Sequence, residues 1–160
     1  MDRVGNQQGN LRLHINTKMT NKTILIVEDN PFEIELTKEV IDFDNQDSST
    51  NKFIFATSFS EAIPFLKDTA LCLVILDLNL GKENGKDILK IIKNNDITKH
   101  IPVVVFSNSD SRNDIHECYQ LDANSYIKKP VEYEEFAKIF SKLRDYWSGV
   151  NILPDKRSLS

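Results

Sequence analysis

Five short apolar runs punctuate the chain: TILIV from Thr23, KFIFAT from Lys52, LCLVIL from Leu71, IPVVVF from Ile101 and the weaker SYI from Ser125. Each is rich in β-branched or aromatic side chains and bounded by turn-formers or polar residues, which predicts strands. Stretches such as ILIV, LVIL and VVVF carry no polar alternation. A strand with one wet face alternates; an unbroken apolar strand needs cover on both faces, as in a parallel sheet between two layers of helices. That requirement restricts the fold more than any other feature of the chain.

The intervening segments supply the cover. Phe32, Leu36, Glu39, Val40 and Phe43 recur mainly at three- and four-residue intervals, after Asn30 as N-cap and Pro31 at the first helical position. Helices are also predicted over Ser60–Lys67, Gly85–Asn94, Ser111–Leu121 and Glu132–Trp147, with Ile88, Leu89, Ile91 and Ile92 as the buried stripe of the third helix. Five strands alternating with five helices predict an α/β fold: a flavodoxin-like, doubly wound five-stranded parallel sheet of order 2-1-3-4-5. The 160 residues suit one domain, expected over 21–148, between a flexible leader (1–20) and a C-terminal extension (149–160). The leader is polar, Asn/Gln-rich and without period, and is read as outside the fold or even as an extension upstream of Met19; the closing PDKRSLS is read as a frayed tail.

Composition narrows the function classes. Lys and Arg number 20 against 24 Asp and Glu, giving a formal charge of -4 and no basic block to follow a phosphate backbone, so direct nucleic-acid binding is not expected. Cys72 and Cys118 stand apart without ligand spacing and read as buried thiols of a reducing cytoplasm. No run of about 18 apolar residues exists, and the first 20 residues lack the apolar core of a signal peptide. His14, His100 and His116 are isolated and receive no role.

In sheets of this order, ligands gather at the carboxyl ends of the strands where strand order reverses, between the first and third. The first strand ends in Glu28 and Asp29, the third in Asp77. Singly, each reads as a turn or N-cap acid; together they repel one another, which raises a pKa or recruits a cation, and oxygen ligands without His or Cys favour Mg²⁺. The fourth strand delivers the Ser107 hydroxyl and the fifth delivers Lys129, both suited to phosphoryl oxygens.

The motifs VEDN, ILDLNL, VVVFSNS and YIKKP, in this order, resemble the receiver domain of two-component response regulators over roughly Thr23 to Ser148. The resemblance implies that Asp77 accepts a phosphoryl group from a phosphohistidine of a sensor histidine kinase or a phosphotransfer protein, in a phosphorelay. It implies Mg²⁺ held by Asp29, Asp77 and the backbone carbonyl of Asn79, with Glu28 acting through metal-bound water. Ser107 corresponds to the switch hydroxyl, Lys129 to the lysine that pairs with the phosphoryl group, and Tyr126 to the aromatic whose rotamer follows activation. Tyr126 fits equally well as a strand aromatic half buried by packing. Lys129, not Lys128, directly precedes the proline, and adjacent strand residues face opposite ways. The family's Lys-Pro peptide is typically cis, which Pro130 permits. Gly81 stands where many receivers have proline, which should loosen the loop after Asp77. Asn108 is bulkier than the common small residue after the switch serine, which should alter water access to the acyl phosphate and with it the lifetime of the phosphorylated form.

The ending RDYWSGVNILP is similar to the tails of small receivers that accompany phytochrome-type kinases. Packing of Trp147, Ile152 and Leu153 on their own core is one reading; a kinase contact or a homodimer through the fourth helix, fifth strand, fifth helix and C-terminal extension is the other. The favoured function is a stand-alone receiver, a phospho-accepting module and not an enzyme beyond its own phosphoryl transfer and slow autodephosphorylation. Among enzymes on such a sheet, a flavodoxin needs a Ser/Thr/Gly-rich phosphate loop where EDNP would repel the phosphate. A haloacid-dehalogenase-like phosphatase needs an aspartate where Asn79 stands. A degenerate receiver that works without phosphate conflicts with retention of Glu28, Asp29, Asp77, Ser107 and Lys129.

Overall fold

The computed structural model describes residues 21–44 and 51–154. The leader over 1–20, and the frayed tail beyond Pro154, lie outside the described residues. The strands are β1 (Thr23–Val27), β2 (Lys52–Ala56), β3 (Leu71–Leu76), β4 (Val103–Ser107) and β5 (Ser125–Lys128). All neighbours pair in parallel, in the order β2-β1-β3-β4-β5. A minimal antiparallel ribbon, Asn79–Leu80 against Glu83–Asn84, follows β3.

Successive residues of the central strands feed two separate cores, because side chains alternate across a pleated strand. Leu25, Val27, Val74, Leu76, Val103 and Val105 face α3 (Gly85–Lys93) and α4 (Arg112–Gln120), meeting Ile88, Leu89, Ile92 and Cys118. Ile24, Ile26, Leu73, Ile75, Val104 and Phe106 face α1 (Pro31–Asp44) and α5 (Tyr133–Asp145), meeting Val40, Ile41, Phe136 and Phe140. Every residue of β1, β3 and β4 is buried, so the runs lack polar positions because neither face is wet. Truncating one of them, such as Leu73→Ala, should cost about 2–5 kcal/mol.

Three local expectations are corrected. The Ser60–Lys67 helix is a short α-helix, α2 (Phe59–Ala62), passing into a 3₁₀ segment at Ile63–Lys67, where Pro64 provides no N–H for an α-type bond. In α1 the inner face runs through Thr37, Val40 and Ile41, while Phe32 and Phe43 are 85% and 73% exposed. Thr37 is tolerated inside because its hydroxyl donates to the Glu33 carbonyl at 2.8 Å. In α3, Ile88, Leu89 and Ile92 are buried, but Ile91 projects outward.

Beyond α5 the chain adds a π-turn over Tyr146–Val150. Trp147 and Leu153 pack against the α1/α5 core, whereas Ile152 is 89% exposed, so the two readings of the tail divide between its residues. Cys72 and Cys118 are buried free thiols, their pKa values pushed up to about 11 by burial. No described helix is long and apolar enough to cross a membrane.

Candidate functional site

The chain leaves β1 at Val27 and β3 at Leu76, whose backbones pair side by side. The acids that follow therefore emerge together: Glu28 and Asp77 are both buried at this edge, and the Asp77 amide donates to the Val27 carbonyl at 3.1 Å. From the other side Lys129, directly after β5, reaches between them. Its Nζ lies 2.6 Å from Glu28 Oε2 and 3.1 Å from Asp77 Oδ2, with only 5% of the side chain exposed. Lys128 points the opposite way, exposed and paired with Asp110 at 2.5 Å.

A third acid completes the cluster. Glu33, in the first turn of α1, also pairs with Lys129. Carboxylate oxygens of Glu28, Glu33 and Asp77 fall within 4.8 Å of one another. Glu33 carries no signal at a strand end, and an acid in a first helical turn is ordinarily explained by the helix dipole alone. Asp29 stands apart from this trio, its Oδ2 so near Gly81 that a Cβ there would approach to 2.9 Å.

Electrostatics follow from crowding in a dry cleft. Burial and the neighbouring Glu33 carboxylate push the Glu28 carboxyl up to about 8, despite its contacts with Lys129 and the Asn30 amide. Burial also opposes ionisation of Glu33, but hydrogen bonds from Glu28 and Lys129 outweigh it and hold this group below its ordinary value. Burial works against the Lys129 charge too; Asp77, Glu28 and Glu33 more than offset it, so its pKa lies above the ordinary lysine value. The donor set is all oxygen and closely spaced, and with Glu28 ionised it fits a hard divalent cation.

The loops are shaped around Asp77. Its Oδ1 accepts from the Asn79 amide at 3.3 Å. A Cβ on Gly85 would sit 2.2 Å from the Asp77 carbonyl oxygen, so α3 can start beneath this loop only with glycine. Gly81 turns the ribbon at φ +59. That geometry excludes proline, so the glycine is required by the turn and does more than loosen the loop.

Ser107 is fully buried at the end of β4, its hydroxyl accepting from the Ser109 amide at 3.3 Å. Tyr126 is half-buried against the α3/α4 core, and its hydroxyl donates to the Ser109 carbonyl at 2.9 Å. Both readings of Tyr126 thus share one geometry: a packed strand aromatic tied to the loop after Ser107. Asn108 is exposed and donates from Nδ2 to Glu33 at 3.1 Å. All described peptide bonds are trans, which overturns the cis expectation for Lys129–Pro130 and agrees with the intrinsic preference of X-Pro bonds.

Comparison with known proteins gives a consistent picture. The family model of the response regulator receiver domain matches residues 24–141. Response regulator Rcp1 of Synechocystis sp. is 31% identical over 140 residues, covering 83% of this chain and 93% of Rcp1. The phosphorylated cyanobacterial phytochrome response regulator RcpA superposes with a TM-score of 0.76 at 30% identity, covering 84% of this chain and 99% of RcpA. The Mn²⁺-bound form of Rcp1 gives a TM-score of 0.72 at 31% identity, covering 83% and 99% of the respective chains.

Proposed function

The chain belongs to the response regulator receiver family, and from that premise we propose that Asp77 accepts a phosphoryl group from a phosphohistidine in a Mg²⁺-dependent reaction, switching the protein's contacts with its partners. The observation that carries this reading is the Lys129 ammonium 3.1 Å from Asp77 Oδ2 inside a cleft of further carboxylates. Asp77 attacks phosphorus through a carboxylate oxygen; the P–N bond to the imidazole breaks, and the ring nitrogen leaves with the electron pair. Lys129 neutralises charge on the phosphoryl oxygens, and the buried strand end fixes the direction of attack. Asp29, Asp77 and the Asn79 carbonyl, with Glu28 through water, would hold the divalent ion, which supplies further neutralisation of those oxygens.

Ser107, buried at the end of β4, would donate its hydroxyl to the new phosphoryl group. Its movement would pull the loop whose Ser109 carbonyl holds Tyr126, so a local charge change reaches the surface made by α4, β5 and α5. The proposed working unit is 21–148, and the proposed output is protein contact. Likeness to RcpA, a phytochrome response regulator, favours a phytochrome-type histidine kinase as partner. Self-association through α4, β5, α5 and the 149–160 extension belongs to the same reading.

Acetyl phosphate with Mg²⁺ is expected to add one phosphoryl group to the wild type and none to Asp77→Asn, read by intact mass. An unlabelled wild type under these conditions and with an active kinase would point to a receiver that works without phosphate. Repeated turnover of a small phosphate ester would point to a phosphohydrolase.

A further inference from the structure

Glu33 has no part in the reading above, yet three segments converge on it. It lies in the first turn of α1, accepts from Asn108 Nδ2 at 3.1 Å beyond β4, and pairs with Lys129 beyond β5. Its carboxylate is within 4.8 Å of oxygens of both Glu28 and Asp77. We propose that Glu33 is a positioning residue whose negative charge sets the balance between the pocket's two ligands, favouring the divalent cation and opposing the phosphoryl group by drawing Lys129 away from it. The proposal rests on Asp77 being the phospho-acceptor.

A lysine ammonium has three N–H donors, and Glu28, Glu33 and Asp77 engage Lys129 Nζ together. A phosphoryl group on Asp77 brings oxygens that need the same donors, so Glu33 competes with it for Lys129. Charge acts in the same sense. A phosphoryl group carries about two negative charges, and a like charge in the same partly dry cleft repels it, while the same charge attracts a divalent ion. Neutralising Glu33 without altering its shape should therefore move the two affinities in opposite directions. A residue that only supported the fold would lower both.

Glu33→Gln isolates the charge, since the amide oxygen can still accept from Asn108. Glu33→Asp keeps the charge, and Glu33→Ala removes it together with the acceptor. On the full chain, calorimetric titration with Mg²⁺ gives cation affinity, and intact mass gives the phosphorylated fraction against acetyl phosphate at saturating Mg²⁺. For Glu33→Gln and Glu33→Ala the Mg²⁺ dissociation constant should rise about fivefold, and the acetyl phosphate needed for half-labelling should fall by about the same factor, as the screened loss of one nearby charge implies. Glu33→Asp should return both towards wild type. Parallel loss of both affinities, or no change in either, overturns the proposal. Should the wild type take no phosphoryl group, the Asp77 reading fails separately, and an unmoved Mg²⁺ affinity would by itself dispose of the role given to Glu33.

Discussion

Lys129 Nζ and Glu28 Oε2 meet at 2.6 Å although 101 positions separate them in the sequence. Only the parallel stacking of β1, β3, β4 and β5 can deliver both groups to one edge. Lys129 is the cation that allows Glu28, Glu33 and Asp77 to share a cleft, and removing it leaves buried like charges uncompensated.

Lys129→Met should therefore lower the unfolding free energy of the metal-free protein by about 3–5 kcal/mol, and Mg²⁺ should restore part of the loss. Urea denaturation in chelator and in excess Mg²⁺ measures both. Lys128→Met, by contrast, removes only a surface pair with Asp110 and should leave the midpoint unchanged. Equal effects at the two lysines would contradict the opposed orientations described above.

Stability of the metal-free protein should fall as pH rises from about 4.5 to about 8. Glu28 is raised from 4.5 to about 8 in the fold, so the folded chain holds a proton that the unfolded chain releases across this window. Glu33 is lowered, so its contribution is present above 4.5 and is lost only on further acidification. Mg²⁺ affinity should climb as pH approaches about 8, where the folded Glu28 loses its proton, because a carboxyl that takes part in holding the ion must be ionised. Denaturation in chelator at stepped pH decides the first point; a flat profile would count against the cluster geometry.

Gly85→Ala should destabilise by about 1–3 kcal/mol through overpacking, since its Cβ has no room beneath the Asp77 carbonyl. Gly81→Ala acts differently, placing a side chain in left-handed backbone at a cost of about 1–2 kcal/mol. Because Gly81 abuts Asp29, its variant should also weaken Mg²⁺ binding, which calorimetry would detect.

Tyr126→Phe deletes the donor to the Ser109 carbonyl and should cost about 0.5–1.5 kcal/mol. Labelling at Asp77 should persist, because the lost hydrogen bond goes to the Ser109 carbonyl and not to Asp77 or Lys129. Abolished labelling would mean that the loop after Ser107 is positioned by this bond.

Much of this arrangement was legible in the chain because strands buried on both faces must be unbroken apolar runs, and their first polar residues mark where they surface. Glu28, Asp77 and Ser107 stand where that rule points; after SYI it points to Lys128, and Lys129 is singled out only by directly preceding Pro130, as in the resembled family. Glu33 does not stand there, since it reaches the pocket from a helix, and Phe32 and Phe43 misled because helical spacing records apolar periodicity but not which face meets the sheet. Glycine at position 85 carried no visible signal; its necessity comes from the backbone of Asp77 and Leu78, eight and seven positions earlier, where contact is set by packing and not by pattern.

Helix α1 is fastened at both poles: Glu33 to Lys129 at one, and at the other Asp44, which takes hydrogen bonds from Arg144 Nη1 at 2.8 Å and from Ser141 Oγ at 2.5 Å on α5. On the opposite flank Lys86 reaches Asp114 on α4 at 2.7 Å and also pairs with Glu117, part-buried contacts that join α3 to α4 and engage none of the three clustered acids. The molecule is thus built like a hinged box with one bolted wall, and a disturbance at the acidic edge will spend itself where the panel is free to give, on the side of α4.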